Sequence, residues 1–211
     1  MARLRQGILG PVSGSVGTIV GANWKDIDYI RSKSSRPKGD LTPDQLDNQY
    51  KFSAVINFVS TMTELLQQTF SKYAVGMSKS NAAFSYNYLN ALTGSSPDYS
   101  IDYAKALVSR GDLMNAAGIT ATITNKAVHF TWTDNTGLGM AAATDKAILV
   151  AFCKNYNLTI YSIGSATRST KAAVLDVSNF NGFAVETWIA FLSEDGLMAS
   201  NSIYTGELMV Q

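Results

Sequence analysis

Large apolar side chains return every three or four positions between Phe52 and Tyr73. Phe52, Val55, Ile56, Val59, Met62, Leu66, Phe70 and Tyr73 make one stripe, with Asn48, Lys51, Asn57, Glu64, Gln67 and Gln68 on other faces. This spacing predicts one long amphipathic helix over 41–74. Its start is well marked: Thr42 offers an N-cap oxygen, Pro43 suits the first helical position, and Asp44 places negative charge at the positive end of the helix dipole. A helix with such a stripe needs cover from the rest of the chain.

Before the helix the pattern is different. Residues 7–33 alternate turn formers with β-rich segments at Ser15–Val20 and Ile27–Ile30, which predicts a hairpin turning near Lys25 and Asp26. Gly14, Gly17 and Gly21 weaken intrinsic strand preference and suggest close approach of backbones. A polar linker, 34–40, leads into the helix. After Gly76, Ser80 or Asn81 can cap a second helix carrying Phe84, Tyr88, Leu89 and Leu92, closed by residues 93–97; Tyr99–Val108 reads as β-like.

From Ile119 onward the spacing changes to short strands separated by turns. Seven β segments are predicted at 119–124, 127–133, 147–153, 158–163, 172–177, 184–192 and 202–208, separated by turns, and they suggest a β-sandwich. With a domain boundary placed in the turn-rich 109–118, the expected organisation is α+β. An N-terminal β-hairpin arm with a long and a second helix occupies 1–111, and an all-β sandwich that folds alone occupies 112–211.

Composition adds restraint. The 211 residues are 46% hydrophobic and 16% charged, as for a well-cored globular chain. Residues 1–111 carry 12 basic and 8 acidic side chains against 5 and 8 in 112–211. The basic excess at the front, including Arg3, Arg5, Lys25, Arg31, Lys33, Arg36 and Lys38, reads as a solvated arm that keeps an exposed strand soluble, so nucleic acid is not the expected partner. Cys153 is the single cysteine, between apolar neighbours, and reads as a buried thiol. No apolar run reaches membrane-spanning length, so no membrane insertion is expected, and the glycine-interrupted N-terminus does not match a signal peptide.

Motifs for chemistry are sparse. His129 is the only histidine, and strand alternation turns it away from Phe130 and Trp132. Gly137, Gly139 and Ala142 fit G-x-G-x-x-A but lead toward a strand rather than a helix, and Ser35–Lys38 fits S-x-x-K inside a proline-containing linker. Asp134, Glu194 and Asp195 could ligate calcium at a sandwich rim, but as Asp-rich turn residues they are explained by turns alone. Trp24, Tyr86, Tyr88, Tyr99 and Tyr103 could form a sugar- or partner-binding face, though packing explains them equally. The expectation is therefore no catalytic residue, no cofactor and no metal.

Val128, Phe130 and Trp132 in alternation, Trp188 within a long later strand, the turn Ser193–Gly196, and a last strand ending near Tyr204 resemble a fibronectin type III or immunoglobulin-like sandwich. The strand-F tyrosine and the cysteine pair of such domains are missing, so the resemblance is one of architecture. Across nearly the full length, through GSVGTIVGANWKDIDYIRSK at 14–33, FTWTDN at 130–135 and WIAFLSEDG at 188–196, the chain resembles an uncharacterised family common in Bacteroidetes and known only as a domain of unknown function. That resemblance implies no activity.

The reading is a non-enzymatic structural or assembly protein, a subunit of a phage-derived particle or surface filament. It would self-associate as a homo-oligomer through Val16, Ile19, Val20, Trp24, Ile27, Tyr29 and Ile30 of the β-arm. Other assembly proteins are further partners. Such a protein would be made in the cytoplasm and incorporated into a virion or extracellular particle. The alternative is a carbohydrate- or surface-binding module that contacts a cell-surface glycan through the sandwich loops.

Overall fold

The computed structural model describes residues 3–4, 10–24, 27–35 and 40–211, and it divides into two compact units, Met1–Thr42 and Pro43–Gln211. The turn expected at Lys25 and Asp26 and the linker residues Arg36–Gly39, with most of the S-x-x-K match, lie outside the described residues.

In the first unit, β1 (Arg3–Leu4), β2 (Val12–Val16), β3 (Ile19–Trp24) and β4 (Ile27–Ser32) form an antiparallel sheet in chain order. The predicted hairpin is β3 with β4, registered from Ile19↔Ser32 to Trp24↔Ile27, and β2 extends it through Val16↔Ile19 and Gly14↔Gly21. Gly21 shows what its missing side chain is for: a Cβ there would collide with the Val12 carbonyl oxygen.

The second unit opens with α1 (Pro43–Ser60), which starts where the sequence predicts and carries Asp44 in its first turn. The single helix expected over 41–74 is, however, interrupted. Thr61 Oγ1 donates to the Phe58 carbonyl at 2.7 Å, Thr61 N and Met62 N fall back on i−3 carbonyls, and Thr63 Oγ1 takes the Ser60 carbonyl, so side chains replace the helical ladder. The chain restarts as α2 (Thr63–Thr69), followed by a 3-10 turn at Ser71–Tyr73. Thr61 also meets Thr159 Oγ1 at 2.6 Å, pinning the break to the sheet below.

The second helix, α3 (Lys79–Asn90), is capped by neither Ser80 nor Asn81. Ser78 Oγ accepts from Asn81 N at 3.2 Å and makes Ser78 the N-cap. Where the pattern suggested a helix end and then a long β stretch, β5 (Leu92–Ser95) and β6 (Asp98–Ile101) form a short hairpin, and Ala104–Val108 is irregular.

All seven later strands are present: β7 (Ala117–Thr124), β8 (Ala127–Thr133), β9 (Lys146–Cys153), β10 (Leu158–Thr167), β11 (Ala172–Asp176), β12 (Ala184–Leu192) and β13 (Ile203–Met209). Tyr204 is the second residue of the last strand rather than near its end. Asn125 and Lys126, both with positive φ, turn β7 into β8 as a two-residue hairpin loop requires. The strands assemble as two antiparallel sheets, ordered β11-β8-β7 and β10-β9-β12-β13.

The four-stranded sheet lies between two cores. On one side Leu149, Ala151, Cys153, Ile189 and Phe191 pack with Val128, Phe130, Trp132 and Leu175 of the three-stranded sheet. On the other, Ile148, Val150, Phe152, Trp188, Ala190 and Leu192 pack with Val55, Phe58, Val59, Met62, Leu66 and Phe70 of the helices. Of the predicted stripe Val55, Val59, Met62, Leu66 and Phe70 are buried, Ile56 and Tyr73 are half-buried, and Phe52 is exposed and meets Phe84, while Phe58 and Leu65 join the core.

This layering moves the expected boundary. Residues 109–118 do not separate two units; the division falls at 42/43, and the helices share a core with the sandwich. The turn-rich stretch that read as a linker is laced into the body. Val108 N donates to Ser202 Oγ at 3.0 Å, Ser109 Oγ to the Ser200 carbonyl at 2.6 Å, and Ser202 N to the Ser109 carbonyl at 2.9 Å.

Candidate association surface

The seven residues singled out in the arm all fall on β2, β3 and β4. Strand alternation distributes them over both faces of the sheet. Val12, Val16, Ile19 and Ile30 share one face with Gly14 and Gly21; Val20, Ala22, Trp24, Ile27 and Tyr29 share the other with Ser15 and Arg31. Val16, Ile19, Trp24, Ile27, Tyr29 and Ile30 are between 42% and 63% exposed, and Val20 is half-buried. Three or more strands become independently stable when one face packs on something apolar, and exposed apolar patches of this kind mark contact surfaces. Among the described residues β4 is also an edge strand, paired only with β3, and all of its residues are exposed.

Elsewhere the proposed chemistry dissolves into structure. Val128, Phe130 and Trp132 point inward and His129 points the other way, as alternation predicts. Gly137, Gly139 and Ala142 lie in the loop before β9, with no helix following. Asp134 Oδ1 accepts from Thr136 N at 2.9 Å, and Asp195 Oδ1 from Leu197 N at 2.9 Å, so both hold their own turns. Among the described residues no three His, Cys, Asp or Glu side chains converge as a metal ion would need.

The tyrosines do not make one face. Tyr86 and Tyr73 carry the Arg110 guanidinium, Tyr88 stacks on Phe84, Tyr99 donates to Asp47 at 2.6 Å, and Tyr103 joins Phe58, Phe152 and Trp188. Cys153 is a free, buried thiol on the inner side of β9.

Two polar clusters were not visible in the sequence. Arg168 and Asp145, 23 residues apart, form a fully buried ion pair, with Arg168 Nε donating to Asp145 Oδ2 at 3.0 Å. The guanidinium also donates to Asn135 Oδ1 at 2.7 Å and to the Met114 carbonyl at 2.8 Å, and it lies 4.3 Å from the centre of the Phe191 ring. Trp132 Nε1 donates to the Arg168 carbonyl at 2.7 Å. Two loops at one end of the sandwich, the one joining β8 to β9 and the segment before β7, therefore converge on the arginine of a third.

The second cluster sits on β12 and β13, where Glu186 faces Glu207 directly across the ladder. Burial pushes the Glu186 carboxyl above its ordinary range and Glu207 adds to the rise, against the Tyr204 hydroxyl, which donates to Glu186 Oε2 at 2.5 Å, and against Lys154. Burial and the same two carboxylates push the Tyr103 hydroxyl up to about 12.

A raised folded-state pKa contributes stability below the unfolded value that is lost as pH rises through the folded one. Glu186→Gln should therefore stabilise the protein by about 0.2–1 kcal/mol at pH 8, the scale of a directly opposed like-charge pair. It should give no gain at pH 3. Thermal melts at both values test this, and an equal effect at the two would remove the electrostatic cause.

Fold and surface together define an α+β protein: helices, a four-stranded sheet and a three-stranded sheet in layers, with an N-terminal β-meander as a separate unit. The chain belongs to a family of unknown function, DUF6266, whose model matches residues 11–206. No curated protein matches it. Among solved structures, the crystal structure of the Clostridium perfringens spore cortex lytic enzyme SleM is similar at 17% identity and a TM-score of 0.30, over 44% of this chain and 27% of that one. The chain thus spans about a quarter of that enzyme's length, and the overlap is too slight to bear on fold or activity. No helix among the described residues is long and apolar enough to cross a membrane.

Proposed function

We propose that this is a non-enzymatic structural or assembly protein whose N-terminal arm mediates self-association, its body being repeated in a homo-oligomeric particle or filament. The supporting observation is the arm sheet, with Ile19, Trp24, Ile27 and Ile30 exposed on two faces and a β4 edge that no described residue pairs. Backbone hydrogen bonding at such an edge supplies affinity without a pocket, while apolar side chains supply the rest. The stripe residues Val55, Val59 and Met62 pack against partners within 43–211.

Within this reading the sandwich is of the fibronectin type III kind. The fourth strand of the sandwich, β10, pairs with the third, β9, in the sheet that also holds β12 and β13, whereas in a constant-type immunoglobulin domain the fourth strand joins the sheet of the first, second and fifth. The Bacteroidetes setting and incorporation into a virion or extracellular particle belong to the same proposal.

Removal of residues 1–33 tests it. The expected product keeps its helical and β circular dichroism and becomes a monomer by light scattering, while the full chain assembles. An unchanged assembly state, or an unfolded product, would sink the reading.

A further inference from the structure

The β4 edge carries enough information to name its occupant and register, on the reading that the arm self-associates. Lys33 N donates to the Thr18 carbonyl at 2.7 Å, which fixes the direction of backbone groups along β4. Residues 27, 29, 31 and 33 turn their N–H and C=O toward β3, and alternation turns those of Asp28, Ile30 and Ser32 to the open edge.

We infer that the occupant is β4 of a second copy, antiparallel, with Ile30 opposite Ile30 of that copy. A two-fold axis through an antiparallel pair places some residue opposite itself, because a closed dimer uses the same patch twice. Only a few centres are open to a strand this short. Centring on Asp28 opposes two carboxylates, and centring on Arg31 opposes two guanidinium groups; like charges directly opposite are destabilising. Centring on Tyr29 sets Asp28 against Ile30 and Ile27 against Arg31.

Centring on Ile30 opposes no like charges within the strand and leaves Ile27 facing only Lys33, just past the end of β4. Asp28 pairs with Ser32, Ile30 with Ile30, and Ser32 with Asp28, and these are the three positions whose backbone groups face the edge, so each pair exchanges both hydrogen bonds. Between them Tyr29 lies opposite Arg31 in the closer, non-hydrogen-bonded pairs, where a guanidinium can cover an aromatic face. Asp28 is already engaged by Asn23 Nδ2 at 3.0 Å, which suits a neutral hydroxyl opposite it. The apolar face of Val16, Ile19 and Ile30 then runs on into its copy, doubling the surface that the small sheet lacks alone.

Variants of the full chain with one added cysteine read the register, and the buried Cys153 stays out of the reaction. Directly opposite hydrogen-bonded residues have Cα atoms about 5.5 Å apart, within disulfide reach. Ile30→Cys should give covalent dimer as the main product of mild oxidation. Asp28→Cys and Ser32→Cys should each stay monomeric under denaturation, since four residues of offset separate like sites by about 13 Å, and should cross-link when mixed. All three positions are exposed, so the variants are expected to fold. If the full chain assembles but Ile30→Cys does not cross-link and the mixture is silent, the register is wrong while arm-mediated assembly stands. If the full chain is monomeric at every concentration, or assembles equally without residues 1–33, the reading beneath it falls as well.

Discussion

A fragment of residues 112–211 should fail to fold as a soluble monomer, while residues 43–211 should melt cooperatively. Cutting at 112 keeps both sheets but removes the helices from the outer side of the four-stranded one. Ile148, Val150, Phe152, Trp188 and Leu192, all 3% exposed or less, would face water together. At roughly 1.5–3 kcal/mol for each large apolar side chain, the loss is on the order of 10 kcal/mol, as large as the whole stability of an ordinary domain. The fragment would also lose Thr61 against Thr159 and the Tyr161 hydroxyl donating to Glu64 at 3.1 Å. Circular dichroism melts and dye binding to exposed apolar surface distinguish the fragments. A sharp transition from 112–211 alone would show that the sandwich stands without its helical layer.

Asp145→Ala should destabilise the body by about 3–5 kcal/mol, because it leaves the Arg168 guanidinium buried without its counter-charge. For a unit of this size that is a fall in Tm of roughly 10 °C. The remaining bonds to Asn135 and Met114 satisfy hydrogen-bond donors but neutralise nothing. The Ala142 N–H, which donates to Asp145 Oδ2 at 2.9 Å, would lose its acceptor as well. Pairing the change with Arg168→Met should recover most of the loss, since an apolar pair of similar volume often replaces a buried ion pair at little cost. A single-variant effect under about 1 kcal/mol, or a double variant no better than the single one, would mean that the pair is reached by water.

The seven sandwich strands were legible because their signals are local: alternation in β8, a short apolar run in β9, and turn residues between segments. Val128, Phe130 and Trp132 declare an inner face without reference to any partner, and Asn125 and Lys126 declare the turn. The helix start at Pro43 was legible for the same reason. Its break was not, since Ser60, Thr61 and Thr63 can serve a helix or end it, and Thr159, 98 positions away, holds the chosen outcome.

The boundary was misplaced because residues 109–118 have the composition of a linker while Ser109 is buried and bonded to Ser200 and Ser202. For the arm, the strand positions were readable and the free edge was not. Which of Asp28 and Tyr29 turns its backbone outward depends on a single pairing parity. The ion pair of Arg168 and Asp145 had no short-range signature at all.

Strand β9 has no solvent side: from Ala147 to Cys153 every residue is buried, odd positions in one core and even positions in the other. A change of volume at Leu149 displaces a backbone that also carries Ile148 and Val150, and close-packed interiors transmit such displacements rather than absorbing them. The helical layer and the three-stranded sheet therefore cannot drift independently over evolutionary time. Substitutions in one core are constrained by the other through a common wall one strand thick, and divergence within the family should be slowest there.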